Sequence, residues 1–258
     1  MFESLANNGF EIECVSHAAA ILEVDFPEAV RELERALSDI RIPITEIIGS
    51  GGGEAKGTQR LRRALHAQTW RKHHFEIKKT INGIERESTS HEVDHVRVFE
   101  SGVVALEIEW NNKDPFFDRD LENFKRLHAE GAISLGVIIT RGSSLQDRIY
   151  QLVHRFAREH DVGAYADLEA LGLDPTKRQK AAVMKRVERR KNPLPFAQAW
   201  AEHFVADKFG AATTHWRKLM DRIDRGVGNP CPLLLIGIPA SVVTFDPDDR
   251  IDPLPDAD

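Results

Sequence analysis

With 258 residues, 41% apolar and 29% charged, the chain has the composition of a folded globular protein and is long enough to bury a large core without staples. Cys14 and Cys231 are its only cysteines, which argues against a disulfide framework and a structural zinc site. The net charge of −6 argues against a uniformly basic nucleic-acid binder but leaves room for local patches.

The N-terminus, MFESLANNGFEIE, is acidic and lacks a leader pattern, and the longest apolar run, LLLIGI at 233–238, is too short to span a bilayer. A cytoplasmic protein is expected. Residues 17–38 read as helix, with Val30, Leu33 and Leu37 at helical spacing and Pro27 tolerated in a first turn. GSGGGEAKGT at 49–58 looks like a phosphate-binding loop, but Lys56 precedes Gly57, whereas that loop needs Gly-Lys-Ser/Thr; a plain loop is expected. Thr58 is placed to cap a helix over 59–70.

From His91 the period changes to two: HEVDHVRVF, a turn at ESG, then VVALEIEW, which predicts a β-hairpin. A helix is predicted over 118–131, with Asp118 as N-cap and Gly131 past its end, followed by a buried strand at 133–140. Helices follow at 144–159, 176–190, 196–208 and 213–226, then a late buried strand at 231–238. The tail 246–258 is proline-rich and acidic and is expected to be poorly ordered. This order predicts an α/β fold, a mixed central sheet flanked by helices with a largely helical C-terminal part. One domain over 1–245 is expected, with a catalytic core at about 46–142 and a helical elaboration at 143–245.

Two basic runs stand against the acidic average. One holds Arg60, Arg62, Arg63, Arg71, Lys72, Lys78 and Lys79; the other, TKRQKAAVMKRVERRK, sets eight basic side chains against the single acid Glu188. Each is either a solvated helix face or a binding surface, and charge alone does not choose.

The chemistry concentrates in EVDHVRVFESGVVALEIEWNNKD. Alternate strand residues share a face, so Glu107 and Glu109 point one way and Leu106, Ile108 and Trp110 the other. Residues 103–106 are apolar, which marks an interior strand, where two acids on one face are costly without a compensating cation. Asp94 lies on the neighbouring arm. Three converging carboxylates suit a hard ion such as Mg²⁺. The competing reading is an exposed hairpin whose acids face water and pair with Arg97 or Lys113.

Asp94, a hairpin turn and Glu107-Ile108-Glu109 at a strand end resemble the PD-(D/E)xK nuclease signature. The resemblance is closer to the BglII-type restriction endonucleases. It is carried by IIGSGGGEAKGT, a helix and Trp70, the hairpin with VVALEIEWNN, the helix DLENFKRLH and GVIITRG, over roughly 46–142. The usual signature lysine is absent, and Glu109 stands there, as Glu or Gln does in this group. The resemblance implies a restriction-endonuclease-like fold and Mg²⁺-dependent hydrolysis of double-stranded DNA at a specific, palindromic site, leaving 5′-phosphate ends. Asp94 and Glu107 would hold the ion with the backbone carbonyl of Ile108, and Glu109 would orient the attacking water. His73, with His74 beside it, or Glu76 would stand near that water. Asn111, Asn112, Lys113, Arg141, Ser143, Ser144, Thr214 and His215 are the expected DNA contacts, Thr213 opening the same helix. The helix over 118–131 resembles the subunit-pairing element, which implies a homodimer. A cognate DNA methyltransferase would complete a prokaryotic restriction-modification system. A nicking or repair nuclease, or a DNA-binding protein that has lost cleavage, are the alternatives.

Overall fold

Local sequence decides most of the element boundaries. In the computed structural model, which describes residues 1–49 and 55–245, the first helical stretch is two helices. Pro27 cannot supply an interior amide, so it opens a new helix at its first position. The elements before it are α1 (Glu3–Asn7), β1 (Glu11–Val15) and α2 (Ala18–Val24); α3 (Pro27–Ser38) follows. Then come β2 (Ile42–Pro43), α4 (Ile44–Ile48) and α5 (Lys56–Ala67), which begins two residues before Thr58, so Thr58 lies within its first turn and is not its cap. Residues 50–54 of the glycine-rich loop and the tail 246–258 lie outside the described residues.

Next are β3 (Arg71–Ile81), β4 (Ile84–Phe99), β5 (Gly102–Glu109), α6 (Pro115–Ala129) and β6 (Leu135–Arg141). The rest is α7 (Ser143–Glu159), α8 (Tyr165–Ala170), α9 (Lys177–Val187), α10 (Phe196–Lys208), α11 (Trp216–Asp224), β7 (Leu233–Ile238) and β8 (Val243–Thr244). The strand β3 was not anticipated. It joins β4 through Asn82 and Gly83, both with positive φ, the conformation that suits a tight hairpin turn and that Gly83 adopts without steric cost.

Two units divide the chain. The first comprises Met1–Ile40, Thr58–Ser143 and Thr214–Pro239. The second comprises Arg41–Gly57, Ser144–Thr213 and the chain from Ala240 onward. The first unit holds a six-stranded mixed sheet in the order β1-β7-β6-β5-β4-β3. Strands β5, β6 and β7 run parallel, and β4 and β3 add an antiparallel meander on one side. β6 and β7 are buried along their whole length, as the apolar runs 135–139 and 233–238 require. The second unit carries the short parallel pair β2-β8 and the helices α8, α9 and α10.

The core of the first unit lies between the sheet and α6. Phe117, Leu121, Phe124 and Leu127 of α6 pack over Ala105, Ile138, Leu233 and Leu235. Gly136 permits this approach: a Cβ there would lie 2.5 Å from the Phe124 ring. Ala105 stands beside Gly136 in register. Two small residues thus bring α6 down onto the strand that carries Glu107. Among the described residues no helix is long and apolar enough to cross a membrane.

Candidate active site

The apolar run 103–106 makes β5 an interior strand, and its last turns carry the acids. Glu107 and Glu109 follow Ala105 on the α6-facing side, and both are buried, at 4% and 3% exposed. Ile108 lies between them, in register with Ile139 of β6. The acids meet a third that sequence reasoning missed. Asp120 sits on α6 one turn before Phe124, wholly buried, and its Oδ2 has no hydrogen-bond partner.

A histidine completes the cluster. Between His73↔Val93 and Arg71↔Val96 two residues of β3 span three of β4, so the extra residue falls at Asp94–His95. Val93 and Val96 therefore both reach the core, and His91 shares the face of Val93. Its Nδ1 accepts from Asn123 Nδ2 of α6 at 3.0 Å. Donor atoms of His91, Glu107 and Asp120 all lie within 4.8 Å of one another, the one such group among the described residues.

The electrostatics show what the cluster lacks. Burial, aided by the charges of Asp120, Asp94 and Glu109, pushes the Glu107 carboxyl up to about 9. Burial and Asp120 push Glu109 up to about 8. Arg119 is the nearest cation, 2.8 Å from Asp120 and 3.7 Å from Glu109, but its side chain is half exposed and does not balance three buried acids. Asn112 Nδ2 donates to Glu109 Oε2 at 2.8 Å, and Thr140 Oγ1 donates to the Glu109 carbonyl at 2.7 Å, fixing the strand end. Arg97, the alternative partner for these acids, instead pairs with Glu32 at 3.1 Å. Crowded acids with an orphaned oxygen fit a divalent cation, and Glu107, Asp120 and Glu109 offer the oxygen donors that Mg²⁺ prefers.

Other expected residues are placed differently. Asp94 is exposed at the rim, 3.7 Å from Lys72; its charge reaches Glu107, but it stands outside the three-residue group. His73 is exposed on the edge strand β3 with its ring against Phe75 at 4.5 Å, and Glu76 pairs with Lys78 at 3.0 Å. The histidine brought to the acids is His91, because β4, not β3, adjoins β5.

Several expected DNA contacts are structural here. Arg141 is wholly buried; its Nε donates to the Trp110 carbonyl at 2.8 Å and its Nη2 to the Thr214 carbonyl at 2.7 Å. Burial pushes its guanidinium down to about 9. It braces the interior and is not presented to a base. Thr214 is also fully buried and exchanges two bonds with Asn112, its amide donating to the Asn112 carbonyl at 2.8 Å and its Oγ1 accepting from the Asn112 amide at 3.0 Å. Ser143 is held at the start of α7 by Glu11, which accepts from its amide at 2.6 Å and from its hydroxyl. In the second unit, Ser144 Oγ accepts from the Ala240 amide at 3.1 Å. His215 is buried, pushed down to about 4 chiefly by burial, and its Nδ1 has no partner. Asn111 Oδ1 is likewise buried and unbonded, whereas Lys113 is exposed.

No curated protein sequence matches the chain. A family model described as restriction endonuclease BglII/BglIII matches residues 10–238, a span that contains the sheet, α6 and every residue of the acidic cluster. The chain belongs to the restriction endonuclease BglII/BglIII family and is thereby a DNA nuclease.

Proposed function

We propose that the protein is a type II restriction endonuclease that uses Mg²⁺ to hydrolyse both strands of DNA at a specific palindromic site, leaving 5′-phosphate and 3′-hydroxyl ends. The observation that carries this reading is the convergence of Glu107, Glu109 and Asp120 around an unsatisfied buried oxygen, beside His91. Glu107 and Asp120 are the residues that would hold the ion, with the Ile108 carbonyl and rim Asp94 as further oxygen donors. When bound, Mg²⁺ supplies Lewis acidity at the phosphoryl group and neutralises developing charge.

The remaining roles belong to the chain itself. Glu109, steadied by Asn112, orients the attacking water. Burial lowers the His91 pKa and so favours its neutral ring, the form able to accept a proton. The half-exposed Arg119 guanidinium, anchored on Asp120, is available to a phosphate oxygen. Lys113 and Asn111 lie just beyond the catalytic strand, where a DNA backbone would pass. Two-fold cleavage of a palindrome calls for a homodimer, with a cognate methyltransferase protecting the host site.

Digestion of plasmid DNA with and without Mg²⁺ tests the reading. Discrete linear fragments with sequenceable ends are expected, and Glu107→Ala should abolish them while duplex binding persists. Nicking or a smear would assign a different nuclease activity, and binding without any cutting would refute catalysis.

A further inference from the structure

The basic run 177–191 is not used by the acidic site, and the second unit gives it a defined surface. Helix α9 is firmly set. Thr176 Oγ1 accepts from the Gln179 amide at 3.3 Å, Gln179 Oε1 accepts from the Thr176 amide at 2.9 Å, and the helix packs on α10 through buried Val183. Two of its cations are consumed internally: Arg186 pairs with Glu202 at 3.2 Å, and Lys180 pairs with Glu169. The other six, Lys177, Arg178, Lys185, Arg189, Arg190 and Lys191, are exposed and make no ion pair among the described residues.

Their arrangement is directional. Arg178 and Lys185 are seven residues apart, on one face of α9 opposite Val183, roughly 10 Å apart along the axis. Arg189, Arg190 and Lys191 continue past the helix end, with Glu188 the only acid in the run. Like charges at this density repel one another and add nothing to the fold. They do suit a linear polyanion, since duplex DNA carries one charge per roughly 1.7 Å of axis. An anionic membrane is a poorer match. Between Arg178 and Lys185 the exposed face offers only Ala181, with none of the large apolar side chains that insert into lipid.

We propose that α9 and the segment Arg189–Lys191 form a sequence-independent docking surface for the phosphate backbone of duplex DNA, carried by the second unit and not by the unit that bears the acids. The inference rests on the DNA-nuclease reading and adds a second contact to it. The surface reads no bases; it raises residence on any duplex and makes binding strongly salt-dependent.

The test compares the full-length protein with an Arg178→Gln, Lys185→Gln, Arg189→Gln variant. Affinity for a short fluorescent duplex without a cleavage site is measured in Ca²⁺ over a range of KCl. Each lost phosphate contact lowers the slope of log K against log salt by about 0.9, so the triple variant should lose up to about 3 in slope and at least about tenfold in affinity at moderate salt. An Arg178→Lys, Arg189→Lys variant should keep both, because only charge is required. An unchanged melting temperature together with the reduced affinity and slope would support a docking role. Unchanged affinity and slope in the Gln variant, with wild-type protein binding normally, would overturn the surface alone. Wild-type protein that binds no duplex even at low salt would overturn both the surface and the DNA reading.

Discussion

Asp120 is the side chain on which the proposed metal site turns, and helical periodicity carries its signal. It lies three residues after Phe117 and four before Phe124, so helical periodicity places it on the buried stripe of α6. A buried acid on such a stripe, with one carboxylate oxygen left unsatisfied, calls for a further cation beside the half-exposed Arg119. Asp120→Asn should lower cleavage by at least about a hundredfold, a loss typical of removing a metal-holding group. It should not lower melting temperature in EDTA, because it removes like-charge crowding. Unchanged turnover would exclude Asp120 from the chemistry. Arg141 shows the opposite case. In sequence, an arginine leaving a strand into a polar loop looks like a base reader, yet its guanidinium bonds two carbonyls whose sequence separations from it are 31 and 73 residues. Arg141→Met should therefore cost about 3 kcal/mol in urea unfolding by stranding those carbonyls.

Among the elements, the β4-β5 hairpin and the buried strands β6 and β7 were legible because alternation and unbroken apolar runs are direct imprints of half-buried and fully buried strands. β3 was not. RKHHFEIKKTI is mostly polar and largely exposed, since an edge strand can keep one side in water. Its Asn82-Gly83 turn was the available clue. The register shift at Asp94–His95 was hidden for another reason: strict alternation assigns Asp94 to one face and cannot register an extra residue. That is why alternation alone does not show that His91 shares the buried face of Val93. The approach of α6 to the sheet depends on Gly136, where no side chain fits. Gly136→Val should destabilise the fold by about 1–3 kcal/mol and reduce cleavage beyond what the loss of folded protein explains, because it lifts Asp120 from Glu107. Cleavage per folded molecule equal to wild type would show that the spacing tolerates the shift.

For the molecule as a whole, the buried acids set a pH dependence. Glu107 and Glu109 titrate near 9 and 8 when folded, against 4.5 ordinarily. Above pH 4.5 the unfolded chain has released these protons while the folded chain still holds them, so stability falls as pH rises toward about 9. His95 and His215 are pushed down to about 4 from 6.5, so the stability they contribute is lost as pH falls below 6.5. In EDTA the melting temperature should peak near about pH 6 and decline on both sides. Mg²⁺ requires the deprotonated carboxylates, so its stabilising increment should be larger at about pH 8 than at about pH 6. A flat EDTA profile between about pH 6 and 9 would mean the acids are not buried together.

The donor atoms come from two kinds of element, with His91 and Glu107 on strands and Asp120 on the helix above them. An ion seated there would act as a rivet between layers otherwise joined by apolar packing, the Asn123–His91 hydrogen bond and the Arg119–Glu109 pair. Its arrival should slow amide hydrogen exchange along α6, making the rigidity of that helix a reporter of occupancy even where no DNA is cut.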